Sequence, residues 1–400
     1  MFCKYCFLRI ACPYEFLAVL VNFARSMKIG IVCYPTFGGS GVVATELGKA
    51  LAKKGHAVHF ITYSQPFRLG VGDYSANIFY HEVSFMNYPL FEYQPYESAL
   101  ASKLVDVVKY ERLDLLHVHY AIPHASSALM AQNILADDGI HIPFITTLHG
   151  TDITLVGKDP SFGPVIRHSL NRSSAVTAVS SSLKRETQEV FRIIKEIQVI
   201  PNFINVHEYK FVANKCQRLQ FAPNNEKIIL HVSNFRKVKR VDDVLRIFDR
   251  IRKQIPSKLI LVGDGPERAN IEHLCRELQT CTEIVSLGKI NDPKEILSIG
   301  DLFILPSETE SFGLAALEAM AMGVPVISTN TGGIPEVNLQ GKTGFLSAVG
   351  DVDNMAANAL RVLNNEELLS QMRKNAREQA VKFDIDSVLP QYEQLYSQFV

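Results

Sequence analysis

The sequence predicts an α/β protein built from two doubly wound, Rossmann-like domains that face each other across a cleft. Three observations carry this. From Met27 onward, short Val- and Ile-rich runs alternate with amphipathic stretches, the pattern of parallel strands joined by helices. The alternation breaks after Ile200 and resumes at Ile228. The chain has 400 residues, 47% of them apolar, more than one core usually holds and enough for two. In doubly wound sheets ligands bind beyond the carboxyl ends of the strands, so two facing domains imply an active site between them.

Residues 1–26 stand apart from this pattern. Lys4 and Arg9 precede an apolar run at 16–21 in the manner of a signal peptide, but the run is short and Glu15 closely precedes it. Met27-Lys28-Ile29-Gly30-Ile31-Val32 reads as the start of a buried strand, so 1–26 are expected to be a dispensable extension or a misassigned start. Strands are expected at 29–34, 58–62, 115–119, 144–148, 176–179 and 199–200. Pro201-Asn202-Phe203-Ile204-Asn205 and the polar stretch 212–226 then mark a junction. A second series follows at 228–232, 259–262, 284–287, 302–305 and 326–328. The expected domains are 27–203 and 204–383, with a helix at 384–400 packing back on the first.

Composition excludes several function classes. Lys plus Arg and Asp plus Glu both number 41, so no long-range field attracts nucleic acid or an anionic membrane. No segment reaches the ~20 apolar residues that span a bilayer. The seven cysteines (3, 6, 12, 33, 216, 275 and 281) are odd in number and scattered, a poor disulfide framework that fits a reducing cytoplasm. Cys3-x-x-Cys6 lacks a second pair at zinc-site spacing.

The first strand runs into Pro35-Thr36-Phe37-Gly38-Gly39-Ser40-Gly41 and then a helical pattern at 42–53. Glycine allows close backbone approach and a helix N-terminus favours an anion, so Gly39, Ser40 and Gly41 are candidate ligand contacts; a plain tight turn explains the run equally well. Thr146-Thr147-Leu148-His149-Gly150-Thr151-Asp152 ends a strand and points His149 into the cleft, with Asp152 placed to orient the imidazole or to cap the next helix. Val232-Ser233-Asn234-Phe235-Arg236-Lys237-Val238-Lys239-Arg240 carries four cations within five residues. Cations there would stabilise a pyrophosphate leaving group as it gains charge; a solvated basic loop is the plain alternative.

Glu310 and Glu318 flank Ser311-Phe312-Gly313-Leu314, where a strand gives way to a helix. Amides around Gly313 and Leu314 can cap a pyrophosphate, and a carboxylate on the helix can accept from sugar or ribose hydroxyls. The segment continues through Met320-Ala321-Met322-Gly323-Val324-Pro325 to Gly332-Gly333-Ile334-Pro335-Glu336. This run resembles the donor-binding signature of the retaining GT-B glycosyltransferases of family 4. The resemblance implies the GT-B fold, Glu310 facing the transferred sugar and Glu318 holding the nucleotide ribose. It also makes Lys239 the family's phosphate-binding Lys and His149 the residue beside the reacting carbon. The family's usual Arg position holds Asn234, so the Arg role passes to Arg236. Gly263, in Gly263-Asp264-Gly265-Pro266, and Ile290 match loops bordering the donor.

The resemblance extends from Met27 to the C-terminus. It is closest to the branch that transfers N-acetylglucosamine from UDP-N-acetylglucosamine to L-malate in bacillithiol formation, through Cys33-Tyr34-Pro35, Pro66-Phe67-Arg68-Leu69 and His119-Tyr120-Ala121-Ile122-Pro123-His124 among others. Arg68, Tyr120, Thr147 and Asn202 are the expected acceptor contacts, chosen by their place at cleft-facing ends. No cofactor or metal is implied: Asp351-Val352-Asp353 copies a D-x-D metal motif, but its setting reads as a helix start capped by Asp353. The expected partners are the two small substrates, with no nucleic acid and no membrane span, and with a homodimer left open. Other acceptors (an inositol phosphate, a lipid or a polysaccharide), a related epimerase and a non-catalytic sugar-nucleotide-binding protein stay open alternatives.

Overall fold

The computed structural model describes residues 26–400 apart from 37, 75–76, 86–91, 93, 156, 158 and 211–214. The extension at 1–25, with Cys3, Cys6 and Cys12, lies outside the described residues, as does Phe37.

Two parallel sheets form. The first contains β1 (Lys28–Val32), β2 (Ala57–Thr62), β3 (Ile78–Glu82), β4 (Leu115–His119), β5 (Phe144–Leu148), β6 (Ala175–Ala178) and β7 (Ile197–Val199), in the order β3-β2-β1-β4-β5-β6-β7. The second contains β8 (Lys227–Val232), β9 (Ser257–Val262), β10 (Ile284–Ser286), β11 (Leu302–Leu305), β12 (Val326–Thr329) and β13 (Gly344–Ser347), in the order β10-β9-β8-β11-β12-β13. Both orders reverse direction once, between β1 and β4 and between β8 and β11. A doubly wound sheet opens its ligand crevice at that reversal.

The central strands β4, β5 and β11 are buried on both faces because helices cover both. Val43, Leu47 and Leu51 of the helix Gly39–Lys53 pack with Ile29, Ile31 and Phe60, while Leu100, Leu104 and Val108 of the helix Tyr96–Glu111 pack with Val32, Ile61 and Leu116. Full burial of each such side chain is worth about 1.5–3 kcal/mol. Two strands escaped the sequence reading. β3 sits at the sheet edge and its sequence, Ile78-Phe79-Tyr80-His81-Glu82, lacks an apolar run; β13 has only 4 residues and opens on a glycine.

The chain crosses between the halves twice, side by side. Ile204 N donates to Phe383 O at 3.0 Å and Ile385 N to Ile204 O at 2.9 Å. The last helix, Ile385–Tyr396, then buries Tyr392 and Tyr396 in the core of the first half. The Tyr396 hydroxyl bonds His117 Nδ1 at 2.7 Å.

Two expectations need correction. The cap of the helix Val352–Leu363 is Asp351, which accepts from Asn354 N at 3.1 Å; Asp353 sits inside the first turn and pairs with Arg250 instead. Cys275 and Cys281 are joined as a disulfide across a turn that follows the helix Arg268–Glu277, a pairing the cysteine spacing did not suggest. The stretch at 212–226 contains a short helix, Lys215–Phe221. No helix among the described residues is long and apolar enough to cross a membrane.

Candidate active site

The loops after β1, β4 and β5 face those after β8, β9 and β11 across a cleft of about 920 Å³. Its walls include Gly39, Ser40, Arg68, Tyr120, His149 and Asn202 from the first half, and Asn234, Arg236, Lys239, Gly263, Ile290, Glu310, Ser311, Phe312, Gly313, Leu314 and Glu318 from the second. The halves touch at Gly150, whose φ is +110° and where a Cβ would stand 2.6 Å from Ser311 Cβ. Only glycine fits that approach.

On the second half, Phe235 buries its ring and takes φ +38°, turning the loop after β8 so that Asn234 and Arg236 stay exposed beside the cleft. Lys239, one step on, reaches Glu310: Nζ lies 2.5 Å from Oε1, with the two side chains 21% and 12% exposed. Ser307 Oγ donates to the same oxygen at 2.9 Å. A cation and a carboxylate therefore sit together at the end of β11, partly desolvated, where charge-assisted bonds are strongest.

Glu318 lies one turn into the helix Leu314–Ala321. It accepts from the Tyr209 hydroxyl at 3.1 Å, and Arg68 Nη2 approaches it to 3.8 Å from the first half. Burial pushes the Glu318 carboxyl up, opposed by the Arg68 charge and the Tyr209 bond. Burial works against the Arg68 charge, but Glu318 and Tyr209 hold it above its ordinary range. Arg68, expected on the acceptor side, thus stands beside the carboxylate expected to hold the ribose.

On the first half, His149 Nε2 meets His119 Nδ1 at 2.8 Å. His119 Nε2 is buried with no partner among the described residues. An orphaned lone pair is tolerated there better than an orphaned N–H. His119 therefore carries its proton on Nδ1 and donates to His149, which keeps its own proton on Nδ1. Burial lowers the His149 pKa to about 3, assisted by His124, and sends His119 well below its usual value. Both rings are neutral at pH 7.

Sequence reasoning missed this role of His119. The signal was its spacing: His117 and His119 fall two apart on β4, so both face the sheet side that carries His149 at the end of β5. Asp152, offered as the orienter of His149, instead accepts from Ala121 N at 2.7 Å and Gly150 N at 3.1 Å and so organises the backbone of both loops. Burial raises its pKa to about 6 against those bonds.

Two further candidates do not face the cleft. Thr147 is fully buried, its hydroxyl held by His117 Nε2 at 2.7 Å and Thr177 Oγ1 at 2.6 Å, because strand alternation turns it under the last helix. Gly41 is buried against the carbonyls of Tyr34 and Thr36, where a Cβ would stand 2.5 and 2.7 Å away; it closes the turn. Tyr120 donates to Ser40 Oγ at 2.6 Å, fixing the glycine loop to the end of β4. Asn202 is 7% exposed and its Oδ1 has no partner among the described residues.

Two doubly wound sheets, a helix N-terminus with paired glutamates on one side and a histidine on the other define a glycosyltransferase of the GT-B type. The chain belongs to that family: residues 37–208 match Glycosyltransferase Family 4 and residues 216–379 match Glycosyl transferases group 1. It is 48% identical over 372 residues, 92% of this chain and 96% of the relative, to the N-acetyl-alpha-D-glucosaminyl L-malate synthase of Bacillus anthracis. Among solved structures it is similar to sucrose-phosphate synthase from Thermosynechococcus elongatus, with TM-score 0.79 and 22% identity over 93% of this chain and 98% of that one. Anabaena HepE in complex with UDP and glucose gives TM-score 0.77 and 21% identity, with 93% and 99% covered. At these identities the two structures speak for the fold alone.

Proposed function

We propose that this enzyme transfers N-acetylglucosamine from UDP-N-acetylglucosamine to the hydroxyl of L-malate, releasing UDP and keeping the α configuration. The observation that carries the reading is the 48% identity to the Bacillus anthracis malate synthase over nearly the full length of both chains. The cleft supports it with partly buried groups suited to each part of the donor.

In this reading Glu318 receives the ribose hydroxyls and the helix start at Gly313 and Leu314 receives the pyrophosphate. Lys239 and Arg236 neutralise the charge that grows on the leaving phosphate, an interaction stronger in the transition state than in the ground state. His149, protonated on Nδ1, donates to a sugar hydroxyl, and Glu310 accepts from another while holding Lys239. The malate hydroxyl oxygen bonds to the anomeric carbon on the face from which UDP departs. Its proton passes to the departing phosphate oxygen. Tyr120 and Asn202 supply hydroxyl and amide for a dicarboxylate, while Arg68, 3.8 Å from Glu318, serves the ribose side. Closure about the paired crossings at Ile204 and Asp384 excludes water that would hydrolyse the donor. A cytoplasmic setting belongs to the same reading.

The test is UDP release from UDP-N-acetylglucosamine with L-malate against other hydroxy acids, with the anomeric coupling of the product read by NMR. Malate-dependent release and an α product are expected. Release independent of malate removes the acceptor assignment, and a β product removes retention.

A further inference from the structure

At the outer edge of the first sheet, two histidines and a carboxylate converge away from the cleft. β2 and β3 pair in parallel with His59 opposite Phe79 and Ile61 opposite His81, so His59 and His81 project from one sheet face, two positions apart. Their rings stack with centroids 5.2 Å apart, and His59 Nδ1 lies 3.0 Å from His81 Nε2. Glu111 ends the helix Tyr96–Glu111, which covers this face. Its carboxylate completes a set of three ligand atoms that all lie within 4.8 Å of one another. His59 is 1% exposed, and the other two are half-buried.

The transfer uses none of these groups. Glu111 and the start of β1 mark the N-terminal edge of the sheet, with Lys28 Nζ donating to the Glu111 carbonyl at 2.8 Å. The cleft lies at the opposite, C-terminal edge. The three residues come from two strands and a helix that are remote in sequence, so rigid elements hold the cluster.

The geometry points to a divalent-metal site of the two-histidine, one-carboxylate kind, taking Zn²⁺ and pinning β2, β3 and the covering helix together. Two imidazole nitrogens and one carboxylate form a donor set suited to zinc, unlike the all-oxygen sets of magnesium and calcium, and leave a fourth position for water. Metal binding needs neutral rings. Burial lowers the His59 pKa to about 4, with His81 and Lys28 acting in the same direction. Burial also lowers His81, joined by Lys103 and opposed by Glu111. Both rings are therefore neutral at pH 7; the ring that donates across the 3.0 Å contact moves its proton to its other nitrogen when the metal binds. Lys28 and Lys103 place two cations nearby and weaken the site relative to zinc-finger sites.

The experiment uses the full chain, stripped with chelator and dialysed against Zn²⁺. One zinc per chain is expected, with a rise in Tm of several degrees at excess zinc, and Co²⁺ in its place should give a visible tetrahedral band. His81→Ala and Glu111→Gln should each weaken binding by about tenfold or more, the range for losing a metal-site group. Asp386→Asn, in the separate His207, Asp384 and Asp386 cluster, should leave the first equivalent unchanged. The half-buried Glu111→Gln serves if His81→Ala does not fold. No zinc uptake, or equal uptake by the wild type and both variants, overturns the site. The readout is bound metal, so it is independent of the transferase reading.

Discussion

Replacing Lys239 by Ala removes two interactions at once, and the geometry separates them. The first is with the leaving phosphate. Deleting one preorganised transition-state donor costs about 10²–10³ in turnover, roughly 2.7–4 kcal/mol. The second is with Glu310, whose Oε1 lies 2.5 Å from Lys239 Nζ. After the substitution Glu310, 12% exposed, keeps the Ser307 hydroxyl at 2.9 Å as its side-chain partner. Leaving a mostly buried acceptor short of its cation costs about 1–3 kcal/mol of stability, more than the ~1 kcal/mol ceiling of an exposed ion pair. Initial rates of UDP release at saturating donor and acceptor read the first loss, and a denaturant melt of the same sample reads the second. The double variant with Glu310→Gln should lose less stability than the two singles combined, because both remove one bond. Near-wild-type turnover in a folded Lys239→Ala protein refutes the assignment of Lys239 to the leaving group.

Three other outcomes follow from the geometry. Glu336 of the second half accepts from Ser181 N and Ser182 N, both at 3.0 Å, at the start of a first-half helix; Glu336→Ala should cost about 1–2 kcal/mol in a denaturant melt, and an unchanged midpoint removes this cap. His119→Phe should lower kcat/KM by about tenfold, the worth of one hydrogen bond, while His119→Asn, whose amide can donate in place of Nδ1, recovers most of it. The ¹⁵N shifts of His149 should report loss of the fixed tautomer in the Phe variant, and an unmoved His149 signal refutes the positioning role. Acid should destabilise the fold below pH 6.5: burial holds His117, His124 and His149 at about 3, 4 and 3, so the unfolded chain binds protons that the folded chain does not. Each contributes up to about 1.4 kcal/mol per pH unit as pH falls toward 4. Asp152, raised to about 6, acts in the opposite sense because the folded chain keeps its proton. Stability that stays flat from pH 7 to 5 removes the buried neutral cluster.

The central strands were legible in the sequence because burial on both faces favours apolar runs, and β9 and β11 fall where such runs lie. The edge strand β3 was not legible, since a strand with one partner and partly exposed side chains carries no such run. The sequence by itself determined two doubly wound halves, and it picked out Lys239, Glu310 and Glu318 in one and His149 in the other, all of which border the cleft. It could not decide which way a side chain turns. Thr147 and His149 are two residues apart on the same strand end, yet one hydroxyl is sealed under the last helix and the other side chain opens to the cleft. The tertiary structure alone decided that His119 sets the proton of His149, that Arg68 crosses to Glu318, and that Glu336 caps a helix in the other half. Each joins residues at least 30 positions apart. Local pattern fixes the period of burial; packing of distant segments fixes which polar groups meet.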